Sequence, residues 1–160
     1  MSGIKLDKKD VEILKFIQED CKKSVKEIAR KISSPITTVY AKIKRMEDLG
    51  IIKNYKTILD AKKLDKGTTA FILVSFGYRT PGIDKPLDQR EIANKIAKFP
   101  EVLESHLLSG NWDIIIKVKA KDVDEIGKFV VDKLRKLEGV EKTLSCLVYG
   151  TSKESLDIAL

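Results

Sequence analysis

Residues 34–52, SPITTVYAKIKRMEDLGII, hold the side chains with the most chemistry to offer. At helical spacing Ile36, Val39, Ile43 and Met46 form an apolar stripe that seeks a core. The outer side carries Thr37, Ala41, Lys44 and Arg45, flanked by Thr38, Tyr40 and Lys42, with its one acid, Asp48, at the end. Hydroxyls at a helix start can bond to base edges or touch thymine methyls, and cations farther along suit phosphates. Hydroxyls first and cations later is therefore a pattern that fits a polyanion. A Lys-rich helix is also an ordinary solvated face, so the surroundings have to decide.

Composition narrows the choice. The chain has 160 residues, 42% hydrophobic and 34% charged, enough for one ordinary domain or two small ones. Its net charge is +7, unevenly spread: residues 1–60 hold 14 Lys and Arg against 9 Asp and Glu (+5), and the remainder 17 against 15 (+2). The surplus in the first third favours an anionic partner there. Cys21 and Cys146 are far apart and form no Cys-x-x-Cys pair, so a metal site or redox motif is unsupported and packing roles are simpler. The start, MSGIKLDKKD, lacks the apolar core of a signal peptide, and the expectation is a cytoplasmic protein without a membrane partner.

Three helices should position the basic stretch. Asp7 caps the first, with an acid three residues on and a Leu6/Val11 staple, and Val11, Ile13, Leu14 and Ile17 supply its apolar side. Ser24 and Glu27 form a capping box for a short second helix with Val25, Ile28, Ala29 and Ile32 inward. Ser34-Pro35 opens the third, with proline at the first helical position, and Gly50 ends it. A short helix, a tight turn and a longer helix with a polar, cationic outer face is helix-turn-helix patterning. IIKNYKTILD then reads as a wing or linker strand, and AKKLDKGTT as a domain boundary.

From Thr68 the period changes. Strands TTAFILVSFGY, EVLESHLLSG, DIIIKVKA and VEKTLSCLVYG alternate with helices DQREIANKIAKF (capping box Asp88/Glu91) and DVDEIGKFVVDKLRKLEG (capping box Asp122/Glu125, stop at Gly139). The order βαββαβ is ferredoxin-like. Both faces of Phe71–Val74 and of Ile114–Ile116 are apolar, while two helices cover only one, so a second copy of the chain is the simplest cover for the other.

Catalysis lacks its parts. His106 is the one histidine, no nucleophile motif surrounds it, and no glycine-rich phosphate loop is present. The turn SGNWDIII has two readings. Gly110-Asn111 is ordinary hairpin chemistry, with Trp112 packing under the sheet and Asp113 capping the turn; alternatively, the turn lines a small-ligand pocket at a subunit contact.

These segments together resemble the Lrp/AsnC (leucine-responsive, feast/famine) family of transcription regulators, nearly end to end. LDKKDVEILKFIQEDCKKSVKEIARKI is similar to the family's opening Leu-Asp-x-x-Asp-x-x-Ile-Leu pattern, and TVYAKIKRMEDLGIIKNY to its recognition helix and Gly-x-Ile exit. FPEVLESHLLSGNWDIIIKV resembles its Pro-x-Val and Gly-Asp-Tyr-Asp stretch, and LEGVEKT its Gly-Val approach to the last strand. Pro35 stands where the family commonly has a capping Ser, Lys42 where Arg is usual, Asn111-Trp112 replaces Asp-Tyr, and the loop 78–88 is long. The resemblance implies a regulatory (RAM) domain, dimers assembled into tetramers or octamers, and an amino acid bound between dimers near the turn.

The expectation is thus an α+β chain without catalytic residues, metal or cofactor. It divides into a helix-turn-helix (winged-helix-like) domain over 1–52, a linker strand over 53–67, a ferredoxin-like regulatory domain over 68–150 and a tail over 151–160. Double-stranded DNA would meet Ser34, Pro35, Thr37, Thr38, Tyr40, Ala41, Lys42, Lys44 and Arg45. An amino-acid zwitterion needs a carboxylate and backbone donors, which Gly110, Asn111, Trp112 and Asp113 can offer, with hydroxyls from Thr143 and Ser145. The rival reading is an amino-acid-binding or oligomerising protein whose helix-turn-helix serves nucleoid or RNA binding.

Overall fold

The computed structural model describes residues 5–77 and 87–160, and the expected long loop lies outside these over 78–86. It forms two compact units, Met1–Ile58 with Lys153–Leu160, and Leu59–Ser152. The division falls inside the linker expected over 53–67, and the tail from Lys153 groups with the first unit.

The first unit packs α1 (Lys8–Glu19), α2 (Val25–Lys31) and α3 (Ile36–Asp48) around Ile13, Leu14, Ile28, Ala29, Val39 and Met46, all buried. Reciprocal capping boxes form at Asp7/Asp10 and Ser24/Glu27, each satisfying two end N–H groups. α3 ends as expected at Gly50. With φ at +69°, its N–H donates to the Glu47 carbonyl and the Ile51 N–H to that of Met46, closing a Schellman motif. Two expectations shift. Pro35 is the N-cap rather than the first helical residue, its carbonyl accepting from Thr38 and Val39, and Ile36 is 50% exposed, outside the core stripe. The wing or linker strand expected over 51–60 does not form: the segment bends at Ile51 and Ile52 and is in no strand, and among the described residues the first unit contains no other strand to receive it. The tail returns to α1 through a paired amide contact, Gln18 Nε2 donating to the Ile158 carbonyl (3.1 Å) and the Ile158 N–H to Gln18 Oε1 (2.8 Å).

The second unit is β1 (Thr68–Phe76), α4 (Gln89–Ile96), β2 (Val102–Leu107), β3 (Ile114–Ala120), α5 (Val123–Lys128) and β4 (Val140–Leu147). The four strands run antiparallel in the order β2-β3-β1-β4, the ferredoxin-like arrangement. Alternation explains its core. Ala70, Ile72, Val74 and Phe76 of β1 and Ile114, Ile116, Val118 and Ala120 of β3 point to one face and pack with Ile92, Ile96, Ile126, Phe129, Val130 and Leu134. On the other face Phe71, Leu73 and Ile115 stay half-buried and Leu144 is exposed. The helix expected over 122–139 is not uniform: α5 widens into a π-turn at Phe129–Lys133 and tightens into a 3₁₀ turn at Leu134–Lys136, keeping Phe129, Val130 and Leu134 buried. Neither expected capping box closes here. Asp88 accepts from the Arg90 N–H, and Asp122 from the Glu125 N–H while the Glu125 carboxylate accepts from Lys121 instead.

Ile116 is 0% exposed at the sheet centre, so Ile116→Ala should lower stability by about 2–5 kcal/mol in chemical denaturation. Leu103→Ala, at a site 54% exposed, should stay within about 0.5 kcal/mol. Equal effects would contradict this assignment of the core.

Candidate nucleic-acid interface and effector turn

Asp10 explains how α3 is held. It lies three and four residues before Ile13 and Leu14, on the same stripe, and is 0% exposed. A buried carboxylate persists only if its oxygens are occupied. Here Lys42 Nζ donates to Asp10 Oδ1 at 2.9 Å and also to Asp7. The Asp7 N–H donates to Asp10 Oδ2 at 2.9 Å, and Arg45 Nη1 lies 3.8 Å from that oxygen. Arg45 Nη2 further donates to the Lys5 carbonyl at 3.0 Å. The cluster joins the start of α1 to the middle of α3. Its charges reinforce one another: the Lys42 hydrogen bond and then the Asp10 N–H hold the Asp7 carboxyl below its usual range, and Asp7 in turn raises the Lys42 ammonium.

Lys42, expected as a phosphate-facing cation, makes its contacts within its own unit. Its side chain is 16% exposed and its ammonium is engaged by two carboxylates of its own unit. Ser34 is half-buried, and its Oγ accepts from Lys9 Nζ at 2.7 Å. Thr37, Thr38, Tyr40, Ala41, Lys44 and Arg45 are exposed, as is Pro35 at the cap. Thr37, Thr38, Ala41, Lys42 and Arg45 together line one shallow hollow. Lys44 is drawn toward Asp48 (3.4 Å) and Glu47 (3.7 Å), with Asp48 chiefly raising its ammonium. Glu47 also accepts from the Tyr55 hydroxyl at 2.9 Å, and partial burial followed by this bond pushes that phenol up to about 12. What the sequence reading missed is the role of Asp10, and the signal was available: an acid on the apolar stripe needs a cation.

In the second unit, Gly110 takes φ of +126°, which glycine adopts most readily, and the Leu108 N–H closes the turn on the Asp113 carbonyl at 2.8 Å. Asn111 is exposed and Trp112 half-buried. Asp113 ties three elements together. Its N–H donates to Val74, its Oδ2 accepts from the Phe76 N–H at 3.1 Å, and its carbonyl accepts from Gln89 Nε2 at 2.9 Å. Thr143 and Ser145 do not join this turn. They pair with Val74 and Ile72 from the far side of β1, two strand spacings or about 10 Å from β3, because β1 lies between β3 and β4. Thr143 Oγ1 accepts instead from Arg135 Nε at 2.9 Å. Among the described residues no group of three His, Cys, Asp or Glu is placed to hold a metal, and no helix is long and apolar enough to cross a membrane.

Comparison with known proteins follows the same division. Residues 6–53 match the model of winged helix-turn-helix DNA-binding domains, and 69–158 that of the Lrp/AsnC ligand-binding domain. An uncharacterized HTH-type transcriptional regulator of Pyrococcus horikoshii is 39% identical over 151 residues, covering 94% of this chain and 97% of its own. A transcriptional regulator from Neisseria meningitidis, solved as a complex with L-Met, superposes with a TM-score of 0.88 at 28% identity, over 97% of each chain. An AsnC-family regulator from Agrobacterium tumefaciens shares the fold, with a TM-score of 0.85 at 23% identity over 96% of this chain and 97% of its own.

Removing one partner of the buried cluster should be costly and replacing both cheap. Lys42→Met is expected to destabilise the first unit by roughly 3 kcal/mol, and adding Asp10→Leu to recover most of it, measured by denaturant titration. For pH the signs oppose. The depressed Asp7 contributes stability above its ordinary value and loses it as pH falls below about 4, whereas the raised Lys42 contributes below its ordinary value and loses it above about 10.5. Asp7→Asn should blunt the acid loss; an unchanged acid limb would contradict the cluster's role.

Proposed function

The chain belongs to the Lrp/AsnC family of transcription regulators, and on that premise we propose which of its residues read DNA, which hold it and which sense an effector. It is a regulator with a helix-turn-helix DNA-binding domain and a ligand-binding domain, not an enzyme. One observation carries the proposal: a buried ion cluster orients α3 so that Thr37, Thr38, Ala41 and Arg45 share one exposed surface. Thr37 and Thr38 offer hydroxyls and methyls to base edges in the major groove, Ala41 a thymine-sized contact, and Tyr40 a hydroxyl beside them. Pro35 sets the approach of the helix start. Lys44 and Arg45 neutralise phosphates, while Lys42 acts from behind as a positioning residue.

The open sheet face, with Phe71, Leu73, Ile115 and Leu144, is proposed to be covered by a second copy. A two-fold dimer reads quasi-palindromic sites with half-sites one helical turn, or multiples, apart. Tetramers or octamers follow by family analogy. The L-Met complex of the Neisseria relative supports an amino-acid effector here. The turn at Gly110, Asn111, Trp112 and Asp113 supplies its contacts, with Thr143 and Ser145 reaching a ligand only from another copy.

Thr37→Ala should weaken selected sites by about 1–3 kcal/mol while sparing random DNA. Arg45→Ala should weaken both and flatten the salt slope by about one unit, read by fluorescence anisotropy at several salt concentrations. Equal losses on both DNAs for both variants would overturn the division.

A stabilising amino acid, with L-methionine the first tested, should raise stability by about 2.7 kcal/mol at 100 times its dissociation constant. Asp113→Asn keeps an oxygen for the Phe76 N–H but removes the charge an ammonium needs, so the shift should vanish with the apo melt little changed. No thermal shift with any of the twenty amino acids at millimolar concentration would leave the turn purely structural.

A further inference from the structure

Between α4 and the edge strand β2 lies a cavity of about 440 Å³, apart from the turn at 110–113. It is lined by Arg90, Ala93, Asn94 and Ala97 from the helix side and by Ser105, His106 and Leu107 from the strand. Arg90 and Asn94 are one helical turn apart on α4, so guanidinium and amide face the same space. Ser105 reaches it from β2, where register with Ile116 turns it toward the helices. Its hydroxyl oxygen is buried and has no hydrogen-bond partner. A buried hydroxyl without a partner is costly, and a ligand oxygen placed there would recover that cost. Among the described residues no carboxylate pairs with the Arg90 guanidinium, and no acid lines the cavity. His106 lies 3.6 Å from Glu104.

We propose that this cavity binds a short-chain carboxylate that lacks an ammonium group, of the 2-oxo acid class. The donor set dictates the class. Arg90 presents a fork matched to a carboxylate, while the Asn94 amide and Ser105 hydroxyl donate to a neighbouring carbonyl oxygen. An amino acid of the same size brings an ammonium, for which the lining holds no acid. The ligand's alkyl end would lie on Ala93 and Ala97, and the open groove leaves room for a longer chain. The site is independent of the amino-acid turn, so either can fail without the other.

Calorimetric titration of the full-length chain with pyruvate tests this. Saturable millimolar or tighter binding is expected, weakened at least tenfold by Arg90→Gln and severalfold by Ser105→Ala, with melting temperatures of both variants near that of the parent. L-Alanine should show no binding that depends on Arg90. Absence of pyruvate binding at 10 times millimolar concentration, or pyruvate binding indifferent to Arg90→Gln, would overturn the proposal. Arg90-dependent binding of L-alanine or inorganic phosphate equal to that of pyruvate would also overturn it, by showing an unselective anion hole.

Discussion

A carboxylate removed from water has to be answered by charge and hydrogen bonds, and in the first unit everything functional hangs on how Asp10 is answered. Its partners come from two places in the chain, the Asp7 N–H of its own helix cap and the Lys42 ammonium of α3. A hydrophobic core alone leaves a helix free to rotate or slide by small amounts, because apolar contacts are non-directional. A buried ion cluster has direction. It fixes the rotation of α3 about its axis, and with it the choice of which residues turn outward. The cost of burying Asp10 is offset by these contacts, and the proposed gain is the orientation of the face of α3 rather than bulk stability.

The second unit also has one aspartate that ties several elements together. Asp113 joins the end of β1, the start of β3 and the first residue of α4 through its N–H, carbonyl and carboxylate. A turn held at three points has little ordering left to do, which is the preorganisation that the proposed effector contact would draw on. The same ties give ligand contacts at the turn a direct mechanical link to β1, whose outward face is the apolar surface proposed to join two copies. The turn proposed to take an effector and the face proposed to join two copies thus both involve β1.

Much of this was legible in the residues. Caps at Asp7 and Ser24, the Gly50 exit and the change of period at Thr68 located the elements, since each is a local signal with one physical meaning. The less legible parts are those set by tertiary context. Ile36 fits the apolar period yet lies half exposed, because the first turn of α3 projects past the core. Lys42 has the type of a phosphate contact, and the acid 32 residues earlier that engages its ammonium could not be read from the helix alone. Thr143 and Ser145 lie on the last strand, which an unordered list of strands brings close to the turn, but β1 separates them from it. Strand order and long-range pairing are not written in any window of a dozen residues.

The central claim is that α3 meets DNA through the face that the Asp10–Lys42 contact turns outward. Nuclear magnetic resonance of the isotope-labelled chain titrated with a selected duplex tests it directly. Shifts should concentrate on the amides of residues 35–45 and on the Thr37, Thr38 and Ala41 methyls, while the Lys42 ammonium keeps its position and its protection from exchange. Shifts centred elsewhere in the first unit, or a Lys42 ammonium released to the DNA, would contradict the account.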